Sequence, residues 1–248
     1  MRWSDKGLVI SVKKYGENSL ILHLLTKDHG VHAGLVKYIS TKKSGHIYEL
    51  GNILSVEWTG RLEEQLGFYK SELEKSYLYS IINNSLKLDA LNTICPMLST
   101  FLPERQVNSK LYQETIEIIA HLNNNNNDMT WISRYIQWEL LLLSELGYGL
   151  DLSRCAVTGE IESLKYVSPK SGRSVSELGA GKWAKKLLIL PKFLQKYNTI
   201  AMDNEELNSG IKLTTFFLNR YAVSIGLKLP ESRDRFTNKL KKIKFNIE

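Results

Sequence analysis

The sequence predicts an α+β chain: a five-stranded β-barrel at the N-terminus, then a mainly α-helical remainder interrupted once by a small β-hairpin. Three observations carry this reading. Apolar residues alternate with period two up to about Tyr77, and from there the period becomes helical. Between two long helical patterns, the residues Gly159, Pro169, Gly172 and Gly179 cluster and break the repeat.

The strands come first. GLVISVKKYG sets Leu8, Ile10 and Val12 against Val9, Ser11 and Lys13, and SLILHLLT places Leu20, Leu22 and Leu24 on one face. Alternation of this length marks half-buried strands. KDHG ends in Gly30, a residue suited to positive φ, and turns the chain into VHAGLVKYI. After the polar loop STKKSGH, the stretches NILSVEWTG and GFYKSELE supply a fourth and a fifth strand. Five short strands in one unit suggest a small barrel, of which the OB-fold is the common five-stranded kind.

Helices follow. Leu78, Ile81, Ile82, Ser85 and Leu86 share one stripe, which Pro96 is expected to interrupt. LYQETIEIIAHL places Leu111, Thr115, Ile118, Ile119 and Leu122 at helical spacing, and the tract Asn123 to Asn127 reads as a surface loop. WISRYIQWELLLLSELGYG is apolar almost all round, which predicts the central helix of a bundle, stopped by Gly147 or Gly149. The stretch 153–179, with LKYVS at its centre, is the hairpin excursion. Helices resume near Pro191, with LTTFFLNRYAVSIGL the last strongly apolar one. The closing LPESRDRFTNKLKKIKF carries Arg233, Arg235, Lys239, Lys241, Lys242 and Lys244. The expected domains are therefore 1–77, a nucleic-acid-binding barrel, and 78–248, a helical domain that includes 153–179.

Composition excludes several classes. With 248 residues and 43% hydrophobic side chains, the chain can build a core and is not disordered. Cys95 and Cys155 alone form neither a disulfide framework nor an all-cysteine zinc site. The N-terminus lacks the apolar run of a signal peptide, and stretches such as Leu140 to Leu143 are too short to cross a bilayer. A reducing cytoplasm is expected, with no membrane contact. The net charge of +7 is uneven: +2 over residues 1–80, −3 over 81–150 and +8 over 151–248. That asymmetry favours a polyanionic partner, nucleic acid before membrane.

No catalytic constellation emerges. His23, His29, His32 and His46 fall among the strands without a spacing that makes a ligand set, and His29 and His32, flanking a turn, are expected to be exposed. GAGKW, from Gly179 to Trp183, lacks the spacing by which a phosphate loop surrounds its ligand. The expectation is a protein that is not an enzyme and holds no cofactor. The barrel offers better material. Lys13, Lys14, Lys37, Lys42, Lys43 and Arg61 lie at strand ends or in loops, interleaved with Tyr15, Tyr38, Tyr48, Trp58 and Tyr69. Single strands are bound by such mixtures, cations following the phosphates and aromatic faces stacking on bases. Trp58 is expected in the core, and the tyrosines at strand ends are the better platforms.

GLVISVKKYGENSLILHLLTKDHGVHAGLVKYI resembles the opening of the RecO recombination mediators: strand, YGE turn, strand, T-x-x-x-G turn, strand. ELLLLSELGYGLDLSRCAVTG is similar to the family's long helix ending in LGYG and its D-L-x-x-C segment, and Leu229 to Arg233 matches its LP-x-SR. The resemblance spans most of the chain. It implies an OB-fold, a helical C-terminal domain and a non-enzymatic, bacterial, nucleoid-associated cytoplasmic protein. Such a protein binds single- and double-stranded DNA and anneals complementary strands. It works with RecR, often alongside RecF, and indirectly with RecA, which is loaded onto DNA coated by single-strand binding protein. The resemblance also implies that the helical domain receives the acidic C-terminal tail of single-strand binding protein, with Arg134 at the family's basic position. Some relatives carry four cysteines in the hairpin and bind zinc; here only Cys155 matches, and Thr158 stands in the second place. The hairpin is thus expected to fold without metal, held by Leu164, Tyr166 and Val167, with Cys155 a small buried hydrophobe. Two other readings stay open, an RNA-binding OB module and a scaffold whose basic tail is a solvated helix face.

Overall fold

The computed structural model describes residues 1–37, 46–62, 64–123, 130–195, 199–201 and 203–242. Contacts group the chain into two compact units, residues 1–125 with 230–236, and residues 126–229 with 237–248.

In the first unit, β1 (Arg2–Tyr15), β2 (Ser19–Thr26), β3 (Gly30–Lys37), β4 (Ile53–Thr59) and β5 (Phe68–Lys75) close a barrel in the order β1-β2-β3-β5-β4. β2 to β5 fall where the period-two alternation put them, and β1 starts five residues before the expected Gly7. β1 is long enough to serve two neighbours: Arg2 to Leu8 pairs with β4, and Gly7 to Tyr15 with β2. A register shift between Val9 and Ser11 bends it between these two partners, as an extra residue in a ladder does. The inward faces supply the core, with Val9, Leu22, Leu24, Leu54, Val56 and Trp58 buried against one another. Each such aliphatic side chain contributes about 1.5–3 kcal/mol.

Three helices follow in this unit, α1 (Leu78–Ile81), α2 (Ser85–Phe101) and α3 (Ser109–Leu122). The break expected at Pro96 lies elsewhere. α2 runs straight through Pro96, and the interruption falls at Ile82 to Asn84. Asn84 starts the new helix because its side-chain oxygen accepts from the N–H groups of Leu86 (3.2 Å) and Lys87 (3.1 Å). Pro96 deprives only the carbonyl of Asn92 of a partner, and Asn92 is exposed to water. α2 packs on the barrel, where Leu91 lies so close to Gly51 that a Cβ there would stand 2.6 Å from its Cδ1. α3 buries Leu111, Thr115, Ile118, Ile119 and Leu122, the stripe read from the sequence. Asn123 caps α3, and the rest of the asparagine tract lies outside the described residues.

In the second unit, α4 (Thr130–Glu145) buries Trp131, Ile132, Tyr135, Ile136, Trp138, Leu142 and Leu143. Gly147 ends it at φ +79°, with its N–H on Ser144 and that of Tyr148 on Leu143. The excursion is larger than a hairpin. β6 (Leu164–Val167) pairs with β7 (Ser174–Ser176) on one side and, after the single-turn helix α5 (Glu177–Ala180) and a 3₁₀ turn over Gly181–Lys186, with β8 (Leu188–Ile189) on the other. Leu164 and Val167 are buried, Tyr166 only in part. α6 (Asn204–Ser224) packs on α4. α7 (Glu231–Lys242), which belongs to the first unit up to Phe236 and to the second from Thr237, closes the described chain. Arg233 is fully buried and so adds nothing to a basic surface, and Lys244 lies outside the described residues.

Cys155 is buried, but the expectation of a plain hydrophobe needs correcting. Its Sγ accepts from the N–H groups of Val157 (3.4 Å), Thr158 (3.4 Å) and Ser176 (3.2 Å) and from the Ser176 hydroxyl (3.3 Å). Burial pushes the thiol up, yet the donors of Ser176 and Thr158 outweigh it and hold the pKa at about 6. Cys95 is fully buried, and with only the backbone of Gly51 to offset its desolvation it is pushed up to about 12. Among the described residues no three His, Cys, Asp or Glu side chains group to hold a metal, and no helix is long and apolar enough to cross a membrane.

Candidate nucleic-acid interface

Strand pairing decides which of the barrel's cations meet. Tyr15 stands opposite Ser19 across β1 and β2, and Ser19 opposite Lys37 across β2 and β3. The β1–β2 hairpin, turned by Gly16 at φ +64°, therefore shares one end of the barrel with Lys37. Lys13, Lys14 and Tyr15 are all exposed there.

On the other side of Lys37 the barrel closes by a short parallel junction of β3 and β5, with Leu35 opposite Phe68. The seam parts beyond that pair into a cleft of about 410 Å³, lined among others by Lys37, Tyr48, Phe68, Lys70 and Ser71. Phe68 is 57% exposed, a large apolar ring left in water in a cleft that Lys37 and Lys70 also line. The Tyr48 hydroxyl lies 3.2 Å from the Ser71 hydroxyl at the cleft wall. An accessible aromatic face in one cleft with lysines is what a base and its neighbouring phosphates require.

The alternation of β5 corrects one expectation. Tyr69, next to Phe68, points inward and is only 6% exposed. Its hydroxyl donates to the His32 carbonyl at 3.2 Å, and burial, reinforced by the charges of Asp5 and Glu104, raises its pKa far above the usual phenol range. It is a core residue and cannot stack on a base. Trp58 is fully buried as expected, its indole N–H donating to the Leu66 carbonyl at 3.0 Å.

The histidines also depart from expectation. Trp3 stacks on His29 at 4.0 Å and on Trp58 at 5.6 Å, and His32 meets both tryptophans edge-on. His29 is thus half-buried and His32 buried, because the aromatic stack of β1 and β4 extends over the β2–β3 turn. Burial lowers the pKa of His32, and its Nδ1 lies 2.9 Å from the Ala33 carbonyl, which can only accept. That nitrogen is therefore the donor.

The structure distributes the other expected residues unevenly. Arg61 is exposed in the β4–β5 connection but does not line the cleft. Tyr38, Lys42 and Lys43 lie outside the described residues, immediately after Lys37. Arg134 is half-buried on α4 in the second unit, and a groove of about 790 Å³ in that unit is lined by other residues, Leu164, Ile189, Lys192 and Ile200 among them. Sequence reasoning missed Phe68 and Lys70. Their signal was the alternation in GFYKSELE, which separates Phe68 and Lys70 from Tyr69 without telling which set faces out.

Residues 1–77 match the family described as "Recombination protein O N terminal", and residues 84–230 the one described as "Recombination protein O C terminal". A protein of Ruegeria sp. (strain TM1040) named "DNA repair protein RecO" is 38% identical over 242 residues, which cover 97% of this chain and 98% of that protein. Proteins of the same name from Wolbachia sp. subsp. Drosophila simulans (strain wRi) and Orientia tsutsugamushi (strain Ikeda) are 40% and 36% identical. Each match covers 94% of this chain, with 98% and 95% of the respective relative.

Proposed function

The chain belongs to the RecO family of DNA repair proteins, and from that premise we propose that it acts without catalysis, as a DNA-binding recombination mediator. The observation that carries the proposal is the cleft between β3 and β5, where the exposed ring of Phe68 lies with Lys37 and Lys70. Bases stack on the ring while phosphates meet the lysines, so binding is tolerant of sequence and sensitive to salt. Lys13, Lys14 and Tyr15 at the same barrel end extend this surface, and Tyr38, Lys42, Lys43 and Arg61 are assigned to it from the sequence.

In this reading the barrel, residues 1–77, holds single- or double-stranded DNA and residues 78–248 hold protein partners. Arg134 receives the acidic C-terminal tail of single-strand binding protein through a charge-assisted contact. Strands freed in this way are annealed, or passed with RecR, and with RecF where it takes part, to RecA. The work takes place in the bacterial cytoplasm, on the nucleoid.

The test is annealing of complementary oligonucleotides, naked and precoated with single-strand binding protein, with no nucleotide supplied. Both should be accelerated by the purified protein. Acceleration of naked strands alone would leave a DNA binder without the mediator role, and acceleration of neither would overturn the reading.

A further inference from the structure

GAGKW has the wrong spacing for a phosphate loop, and the structure folds its second half into the 3₁₀ turn Gly181–Lys186 of the second unit. That turn displays an indole. Trp183 is 55% exposed, whereas among the described residues the other tryptophans, Trp3, Trp58, Trp131 and Trp138, are buried wholly or in part. The ammonium groups of Lys182 and Lys186 lie over the Trp183 ring, 5.7 and 5.0 Å from its centroid, and Lys185 beside them is exposed. From Leu178 to Met202 the sequence contains Lys182, Lys185, Lys186, Lys192 and Lys196 and not one acidic side chain. The nearest preceding acid, Glu177, is engaged by Lys165 at 2.5 Å.

We propose that this turn is a second nucleic-acid contact, in which Trp183 stacks on a base of a single strand while Lys182, Lys185 and Lys186 take the adjoining phosphates. The proposal rests on the nucleic-acid reading above and adds to it that the second unit grips a strand by itself. Every base has a π-face, so an exposed indole among cations is a sequence-tolerant platform. Cation–π contacts at exposed sites are weak, so an arriving base displaces an ammonium group from the ring, and the same group then meets the flanking phosphate. An anionic lipid surface would take the same charges, but it calls for several apolar side chains side by side, and beside Trp183 the turn holds only lysines, Gly181 and Ala184, with Leu178 of α5 the one strongly exposed aliphatic side chain just before it. A protein that pairs two strands gains from gripping each on a surface of its own.

The experiment titrates the intact protein with a fluorescein-labelled 20-mer of oligo(dT), following dye anisotropy and, with unlabelled oligomer, tryptophan emission. Stacking should quench part of the emission, and Trp183→Ala should abolish that part and weaken binding roughly tenfold. Trp183→Phe should recover most of the affinity. The triple replacement of Lys182, Lys185 and Lys186 by Ala should flatten the slope of log K against log salt by about 2, at roughly 0.7 per phosphate contact. Unchanged circular dichroism and melting temperature should accompany every variant, since the replaced side chains are exposed. Full-strength binding and quenching after Trp183→Ala would overturn this proposal alone. So would quenching by phosphatidylserine vesicles but not by the oligonucleotide. A wild-type protein that binds no oligonucleotide would overturn both this proposal and the barrel reading.

Discussion

The ring of Tyr69 occupies the space that a side chain on Gly34 would need: a Cβ at Gly34 would stand 2.3 Å from the ring's Cδ2. This contact crosses from β3 to β5, the junction that closes the barrel, and only glycine permits it. Gly34→Ala should therefore destabilise the first unit by about 1–3 kcal/mol through overpacking, measured by urea denaturation. The pair Gly34→Ala with Tyr69→Leu should cost less than the sum of the two single changes, since the smaller side chain leaves room for the methyl group. Strict additivity would mean that the two residues do not meet.

Phe68 and Lys70 face away from that core, so they can be changed without unfolding the barrel. Phe68→Ala should weaken binding of a single strand by about 1–3 kcal/mol and leave the denaturation midpoint nearly unmoved. Replacing Lys37 and Lys70 together by Ala should flatten the salt dependence, each lost phosphate contact removing about 0.7 from the slope for single strands. Adding Lys42→Ala and Lys43→Ala should flatten it further. An unchanged slope would remove the β3–β5 cleft from the DNA surface.

Arg134→Glu separates the mediator from the simple binder. Like-charge repulsion should reduce affinity for a peptide of the acidic tail and slow annealing of precoated strands, while naked strands anneal as before. Circular dichroism should show the helices intact. Equal loss on naked and precoated strands would assign Arg134 to DNA or to the fold instead of the tail.

The thiol of Cys155 makes a pH prediction. Its folded pKa of about 6 lies below the ordinary cysteine value, so the folded state holds a thiolate where the unfolded chain binds a proton. The associated stability is complete above the unfolded pKa, near 8.5–9, and is lost as pH falls through about 6. Thiolate absorbance near 240 nm should accordingly titrate with a midpoint near 6, and Cys155→Ala should remove both this step and the matching slope in stability. Cys95, pushed up to about 12, stays silent over that range.

Chelator should not shift the melting temperature, because the hairpin closes on hydrogen bonds to Cys155 where four thiolates would hold zinc. A fall of several degrees on adding chelator would show that a metal holds the fold.

Much of this was legible in the residues. The five strands, the stripe of α3 and the stop at Gly147 follow from local rules, alternation on a pleat, spacing on a helix and the positive φ that glycine tolerates. Pro96 misled because a proline's cost depends on what the deprived carbonyl faces, and Asn92 faces water. His29 and His32 misled because a turn in sequence says nothing of the tryptophan that folds over it.

The sequence by itself determined the barrel, the helices and the supply of cations and rings, since each of these is written in the chain's neighbouring residues. Only the tertiary structure decided which rings serve. Phe68 and Tyr69 are adjacent and alike, and closure of β5 against β3 sends one to water and the other into the core. It also decided the chemistry of Cys155, whose strongest donors come from Ser176, 21 residues along the chain. A pKa depends on what surrounds a group in space, and only the folded chain brings those donors to the sulfur.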